Sequence, residues 1–111
     1  MNKNNSLEPI SPGEILREDF LEPLGISINK LSRDISVPPN RISEIVNGKR
    51  AITADTALRL ERYFGIEAQF WLNLQSEFDL RTIKRKIGSD IKRRIMPAKL
   101  SGQSIQQSAG A

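Results

Sequence analysis

Between positions 40 and 44 the chain sets Asn40, Arg41, Ser43 and Glu44 directly after a Pro38-Pro39 pair, and Lys49 and Arg50 follow just past an Asn47-Gly48 step. An asparagine amide can pair in two-pronged fashion with adenine and a guanidinium with guanine, while Ser and Glu offer single contacts to base edges. Lys or Arg beside such a set grips phosphate without reading sequence. This is the chemistry of a nucleic-acid contact. Other chemistries lack their residues. The 111-residue chain has no His and no Cys, which removes the usual neutral-pH acid/base group, thiol nucleophiles, disulfides and zinc-finger ligands. Glu14, Glu18 and Asp19 fall where a helix dipole favours carboxylates, and read as a solvated first turn. Gly48-Lys49 lacks the upstream glycine and the following Ser/Thr of a phosphate loop. No enzyme activity, metal or cofactor is expected.

The charge is unevenly placed. The net charge is +4, yet residues 1–80 carry 9 Lys/Arg against 12 Asp/Glu, and residues 81–111 carry 8 against 1. The body therefore meets an anionic partner only through a local basic patch. The opening MNKNNSLEP has no apolar targeting core, and no stretch approaches the roughly 18 apolar residues of a membrane span. A soluble, cytoplasmic protein without a membrane partner is expected.

The elements that must position these residues read as helices, because the apolar pattern keeps the helical period. Ser11-Pro12-Gly13-Glu14 is a helix start, with Ile15, Leu16 and Phe20 facing inward, and Pro23 is expected to end the helix by Leu21. Ser27 caps a second helix with Ile28, Leu31 and Ile35 on one face. Ser36-Val37-Pro38-Pro39 breaks it. Pro39 then opens a third helix, to about Asn47, with Ile42, Ile45 and Val46 buried. Thr53 caps a fourth, Ala54 to Phe64, with Ala57, Leu58, Leu60 and Phe64 as its apolar side and Gly65 as its stop. A fifth begins near Glu67 with Phe70, Trp71, Leu74 and Phe78 on one stripe. Beyond it, Ile83, Ile87, Ile91 and Ile95 recur every four residues among lysines and arginines, a basic amphipathic segment weakened by Gly88 and closed by Pro97. SGQSIQQSAGA is polar and of low complexity.

The fold class is thus all-α: a five-helix domain with a helix-turn-helix over residues 11–82, a flexible terminus at 1–10, and a basic, partly helical or disordered tail at 83–111. Two short helices around the SVPP turn match the helix-turn-helix in length and apolar register. With the apolar face turned inward, the third helix presents Pro39, Asn40, Arg41, Ser43 and Glu44 to base edges. Lys49 and Arg50, with the helix starts at Ser27 and Thr53, are placed to contact phosphates. Trp71, Leu74 and Phe78 are candidates for a dimer or partner surface, with core packing as the other reading. The tail reads either as added nucleic-acid affinity, as a docking helix, or as a solubilising extension.

From about residue 9 to residue 82 the sequence resembles the HigA-type antitoxins of the Xre/Cro repressor superfamily. Three blocks carry the likeness: PGEILREDFLEPLGIS, NRISEIVNGKRAITADTALRLERYFG and FWLNLQSEFDL. The resemblance implies a five-helix repressor-like fold and a homodimer on palindromic operator DNA. It also implies a cognate HigB-type toxin, a RelE-like mRNA interferase that the antitoxin neutralises while repressing its own promoter. A repressor without a toxin partner, or an interaction module that does not read DNA, are the competing readings. Ser36 stands where the turn of such proteins often has Gly, so a left-handed backbone there carries a cost. Ser32 replaces a usual Ala between the two helices, and its hydroxyl needs a partner.

Overall fold

The computed structural model describes residues 8–99, and the terminal segments for which flexibility and disorder are expected lie largely outside them. Five helices and no strand are present among the described residues. The first, α1, starts at Pro12 behind a capping box: Ser11 Oγ accepts from the Glu14 amide at 3.2 Å and Glu14 Oε1 accepts from the Ser11 amide at 3.3 Å.

The expected stop at Leu21 is not observed. The helix widens into a π-helical stretch, Leu16–Leu21, and resumes as Glu22–Leu24 before Gly25. At the transition the Glu22 amide reaches back five residues to the Arg17 carbonyl. Proline in a regular helix clashes with the carbonyl four residues earlier. The wider turn just ahead of Pro23 changes that register, so α1 runs through the proline.

Helix α2 spans Ile28–Asp34, α3 Pro39–Val46 and α4 Ala54–Phe64. Ser27 caps α2 through the Lys30 amide at 3.0 Å. Thr53 occupies the cap position of α4, but its side chain makes no capping hydrogen bond. Gly65, at φ 80°, ends α4 in the left-handed conformation that glycine adopts without strain. In the turn between α2 and α3, Ser36 lies at φ 58°, the one non-glycine with positive φ among the described residues. The Ser32 hydroxyl finds its partner in the Ile28 carbonyl at 2.8 Å.

The core joins Leu16 and Leu21 of α1, Leu31 of α2, Ile35 and Val37 of the turn after it, Ile42, Ile45 and Val46 of α3, Ile52 of the following loop, Ala57 and Leu60 of α4, and Trp71. Phe20 packs between Phe64 and Trp71, with ring centroids 5.0 and 5.1 Å away. Leu58 was expected on the apolar side of α4, yet it is exposed, and Thr56 is buried in its place. The helix is rotated so that Thr56, Ala57 and Leu60 face inward.

Helix α5, Ala68–Arg94, is a single 27-residue helix. The expected boundary at residues 82/83 falls inside it, and Gly88 does not break it: one weak helix former costs about 1 kcal/mol, which a long helix absorbs. Its first half packs on the body through Trp71 and Leu74, and α4 and α5 lie side by side. Its second half projects, giving an elongated molecule of 55 × 28 × 22 Å with Leu80, Ile83, Ile87 and Ile91 exposed.

Candidate nucleic-acid interface

The position of α3 follows from its apolar residues. Ile42, Ile45 and Val46 are buried, so the remaining side of this helix must face outward. Pro38, at φ −65° and ψ 145°, leads into the helix, and Pro39 occupies its first turn without an amide to satisfy. Pro39 and Asn40 are exposed and Ser43 is half-buried. These three residues line, with Ser27, Ile28 and Asn29 at the start of α2, an open depression of about 490 Å³. Asn29 was not singled out from the sequence. The signal was its place two residues after the cap Ser27, which puts an exposed amide beside Asn40.

Arg41 departs from its expected outward pose. Its Nη1 donates to Asp55 Oδ1 at 2.9 Å and approaches Thr56 Oγ1 at 3.5 Å, so the guanidinium is turned back onto the first turn of α4. Glu44, also expected at base edges, accepts from both Nε and Nη2 of Arg50 at 2.8 Å. This pairing ties the carboxylate to the loop after α3, and it occupies the Arg50 guanidinium that was expected on phosphate. Lys49 is exposed in that loop. It shares a second depression, at the far end of α3, with Gln75, Phe78 and Asp79 of α5. Gln75 Oε1 accepts from the Ile52 amide at 2.8 Å and so pins the loop to α5. Gln75 too went unnoticed in the sequence, because a polar residue on a mostly exposed helix carries no distinguishing pattern.

The set expected as a dimer or partner surface is corrected in part. Trp71 is wholly inaccessible, and Leu74 packs against the core. Phe78 is half-buried beside the Lys49–Arg50 loop. These side chains hold α5 to the body, because the aromatic cluster with Phe20 and Phe70 encloses the indole ring.

The carboxylates around the helix-turn-helix are held ionised by their partners. Asp55 lies below the ordinary carboxylate range, first because Arg59 donates to it and then because Arg41 does. Asp34 is lowered by the Tyr63 hydroxyl and then by Lys30. Arg59 also donates from Nη1 to the carbonyls of Ile35 at 2.8 Å and Ser36 at 3.1 Å, which braces the turn from α4. No cluster of three or more metal-ligating side chains exists among the described residues, and no helix there is long and apolar enough to cross a membrane.

A buried-faced third helix entered through a tight turn and flanked by the starts of two other helices defines a helix-turn-helix protein. The sequence family described as Helix-turn-helix (HTH_3) matches residues 18–71. The chain is 56% identical over 77 residues to virulence-associated protein I of Dichelobacter nodosus, covering 69% of this chain and 71% of that protein. It is 36% identical over 84 residues to antitoxin HigA-1 of Vibrio cholerae, covering 76% and 79%. A solved structure of the Pseudomonas aeruginosa antitoxin HigA with the higBA promoter superposes with a TM-score of 0.79 at 47% identity, covering 81% of this chain and 98% of that one. The chain belongs to the HigA-type antitoxin family of helix-turn-helix regulators.

Proposed function

We propose that this chain is a cytoplasmic antitoxin and transcriptional repressor that binds its own operator as a homodimer and neutralises a HigB-type toxin, with no enzymatic activity of its own. The observation that carries the reading is the exposed start of α3, where Pro39, Asn40 and Ser43 face the same depression as Ser27 and Asn29. A recognition helix inserted by its N-terminal end brings such residues to the base edges of a major groove. Asn40 is assigned to adenine, Ser43 to a single base-edge contact and Pro39 to apolar contact. The uncapped start of α4 at Thr53, the start of α2 at Ser27, and Lys49 are assigned to phosphate. Glu44 and Arg50 act as a pair that fixes the loop carrying Lys49. The relative from Pseudomonas aeruginosa, solved with promoter DNA, supports the DNA partner.

Dimerisation is assigned to the projecting half of α5. Ile83, Ile87 and Ile91 repeat at four-residue spacing, all exposed in one copy, and apolar stripes of this kind are buried by association. Two copies would address half-sites about 34 Å apart, one turn of DNA.

A gel shift with the DNA upstream of the gene tests the reading. Retarded binding of that fragment at concentrations at least tenfold below those for random DNA is expected. Equal affinity for both would defeat operator recognition. Co-purification with the product of the neighbouring gene, with loss of its RNA cleavage, tests the toxin partnership separately.

A further inference from the structure

A single carboxylate oxygen links the recognition helix to the turn that precedes it. Asp55 Oδ1 accepts from Arg41 Nη1 at 2.9 Å and from Arg59 Nε at 2.7 Å. Arg59 in turn donates to the Ile35 and Ser36 carbonyls. Arg41 thus stands in the first turn of the element that reads bases, yet its cation is engaged with α4, and its side chain is only 27% exposed. Resting on the DNA-binding reading above, we propose that Asp55 is a specificity-determining positioning residue: it withholds Arg41 from DNA, leaving base readout to Asn40 and Ser43.

The physical case is one of competing partners. An unrestrained arginine is a long, permanently charged side chain that can reach a phosphate on any sequence or a guanine wherever one lies nearby. Residues 1–80 have a net charge of −3, so the body has no bulk attraction for DNA, and each cation freed at the interface adds affinity that the body otherwise lacks. Its contribution would be mostly blind to sequence, and sequence-blind affinity narrows the ratio by which an operator is distinguished from competing DNA. Asp55 is well suited to hold the cation. It lies in the first turn of α4, where the helix dipole favours an anion. Its second ligand, Arg59, is itself anchored on main-chain carbonyls, so the carboxylate is oriented from both sides.

The test compares wild type, Asp55→Asn, Arg41→Met and the double variant on operator and random DNA across a range of salt concentrations. Circular dichroism and Trp71 emission confirm folding. Asp55→Asn keeps the shape and removes the negative charge that holds Arg41. It should tighten random-DNA binding by at least about fivefold and steepen the log–log salt dependence by about 0.9, one added phosphate contact. The operator-to-random ratio should fall accordingly. Removing a negative charge near DNA would by itself raise affinity, and the double variant separates the two causes: the gain disappears without Arg41 if the released arginine makes it. A gain that persists in the double variant, or an unchanged ratio in folded Asp55→Asn, overturns the proposal. Arg41→Met supplies a second route should Asp55→Asn not fold. A withheld arginine predicts operator affinity within about threefold of wild type and an unchanged salt slope, and any larger loss, on the operator alone or on both DNAs, overturns the assignment. If wild type itself shows no preference for the operator, the DNA-binding reading fails instead.

Discussion

Gly13 presses directly against the carbonyl of Ile45: a Cβ at this glycine would lie 1.7 Å from that oxygen and 2.9 Å from the Val46 Cα. The contact sets how closely α1 approaches the end of α3, and both neighbours are main chain, which cannot rotate away. Gly13→Ala must therefore separate the two helices. A destabilisation of at least about 3 kcal/mol is expected, at the upper end of overpacking costs. Urea titration followed by Trp71 emission measures it, and a loss under 1 kcal/mol would show that the helices part easily.

Ser36 carries the opposite prediction. At φ 58° it occupies a left-handed conformation that costs a non-glycine residue about 1–2 kcal/mol. Glycine removes that cost but adds freedom to the unfolded chain. Ser36→Gly should leave a net gain of about 0.5–1 kcal/mol, a rise of several degrees in Tm for a domain of this size. The gain should leave operator affinity unchanged, because the turn already has the shape glycine prefers. A lower Tm would mean that the serine side chain stabilises the turn.

The left-handed Ser36 was foreshadowed only by the resemblance, in which the turn often has Gly at this position; the SVPP pattern by itself marks a break between two apolar-patterned helices and no particular φ. The buried face of α3 and the caps at Ser11 and Ser27 were legible in the sequence, since they depend on local spacing and side-chain reach. What escaped was set by partners distant in sequence. Arg41 is separated by 14 residues from Asp55, Ile52 by 23 from Gln75, and Arg59 by 24 from Ile35. No periodicity marks such pairs, and an arginine reads as outward until its acceptor is known. The run of α1 through Pro23 escaped because proline is a strong local stop, and the π-helical turn that accommodates it leaves no pattern in residue type.

Acid should loosen the braces around the turn. Asp55 and Asp34 are both held below their ordinary value of 3.8 by hydrogen bonds from cations and a hydroxyl. A carboxylate with a depressed folded pKa stabilises the fold above its unfolded value, near 4, and loses that contribution as pH falls through the lower folded one. Tm should hold level down to about pH 5 and decline below pH 4. Tyr63, raised by its bond to Asp34, works in the other direction: its contribution is complete below about pH 10 and fades as pH rises further. Both limbs should flatten in Asp34→Asn, and the acid limb alone in Asp55→Asn. An acid limb unchanged in both variants would place its cause in other carboxylates.

If the projecting half of α5 is the dimer surface, as proposed, folding and assembly separate there, since Ile83, Ile87 and Ile91 are 47, 44 and 42% exposed in a single copy. Little of the monomer's stability rests on them. Ile87→Glu should therefore leave the Trp71 environment and the helical content unchanged while removing the dimer. Sedimentation equilibrium at micromolar concentration should show wild type as a dimer and Ile87→Glu as a monomer. Operator affinity should fall by about 100-fold or more, because each half-site must then be bound independently. Salt supplies a second sign. Lys84, Lys92, Arg93 and Arg94 flank the stripe against one acidic residue, Asp90. Two copies meeting along it bring like charges together, and screening should tighten the dimer as salt rises. DNA binding weakens over the same range through counterion release, so at fixed protein concentration the two equilibria move in opposite directions. A dimer that loosens with salt would mean that ion pairs and not the isoleucines hold it. A dimer that survives Ile87→Glu would move the interface off the projecting half of α5.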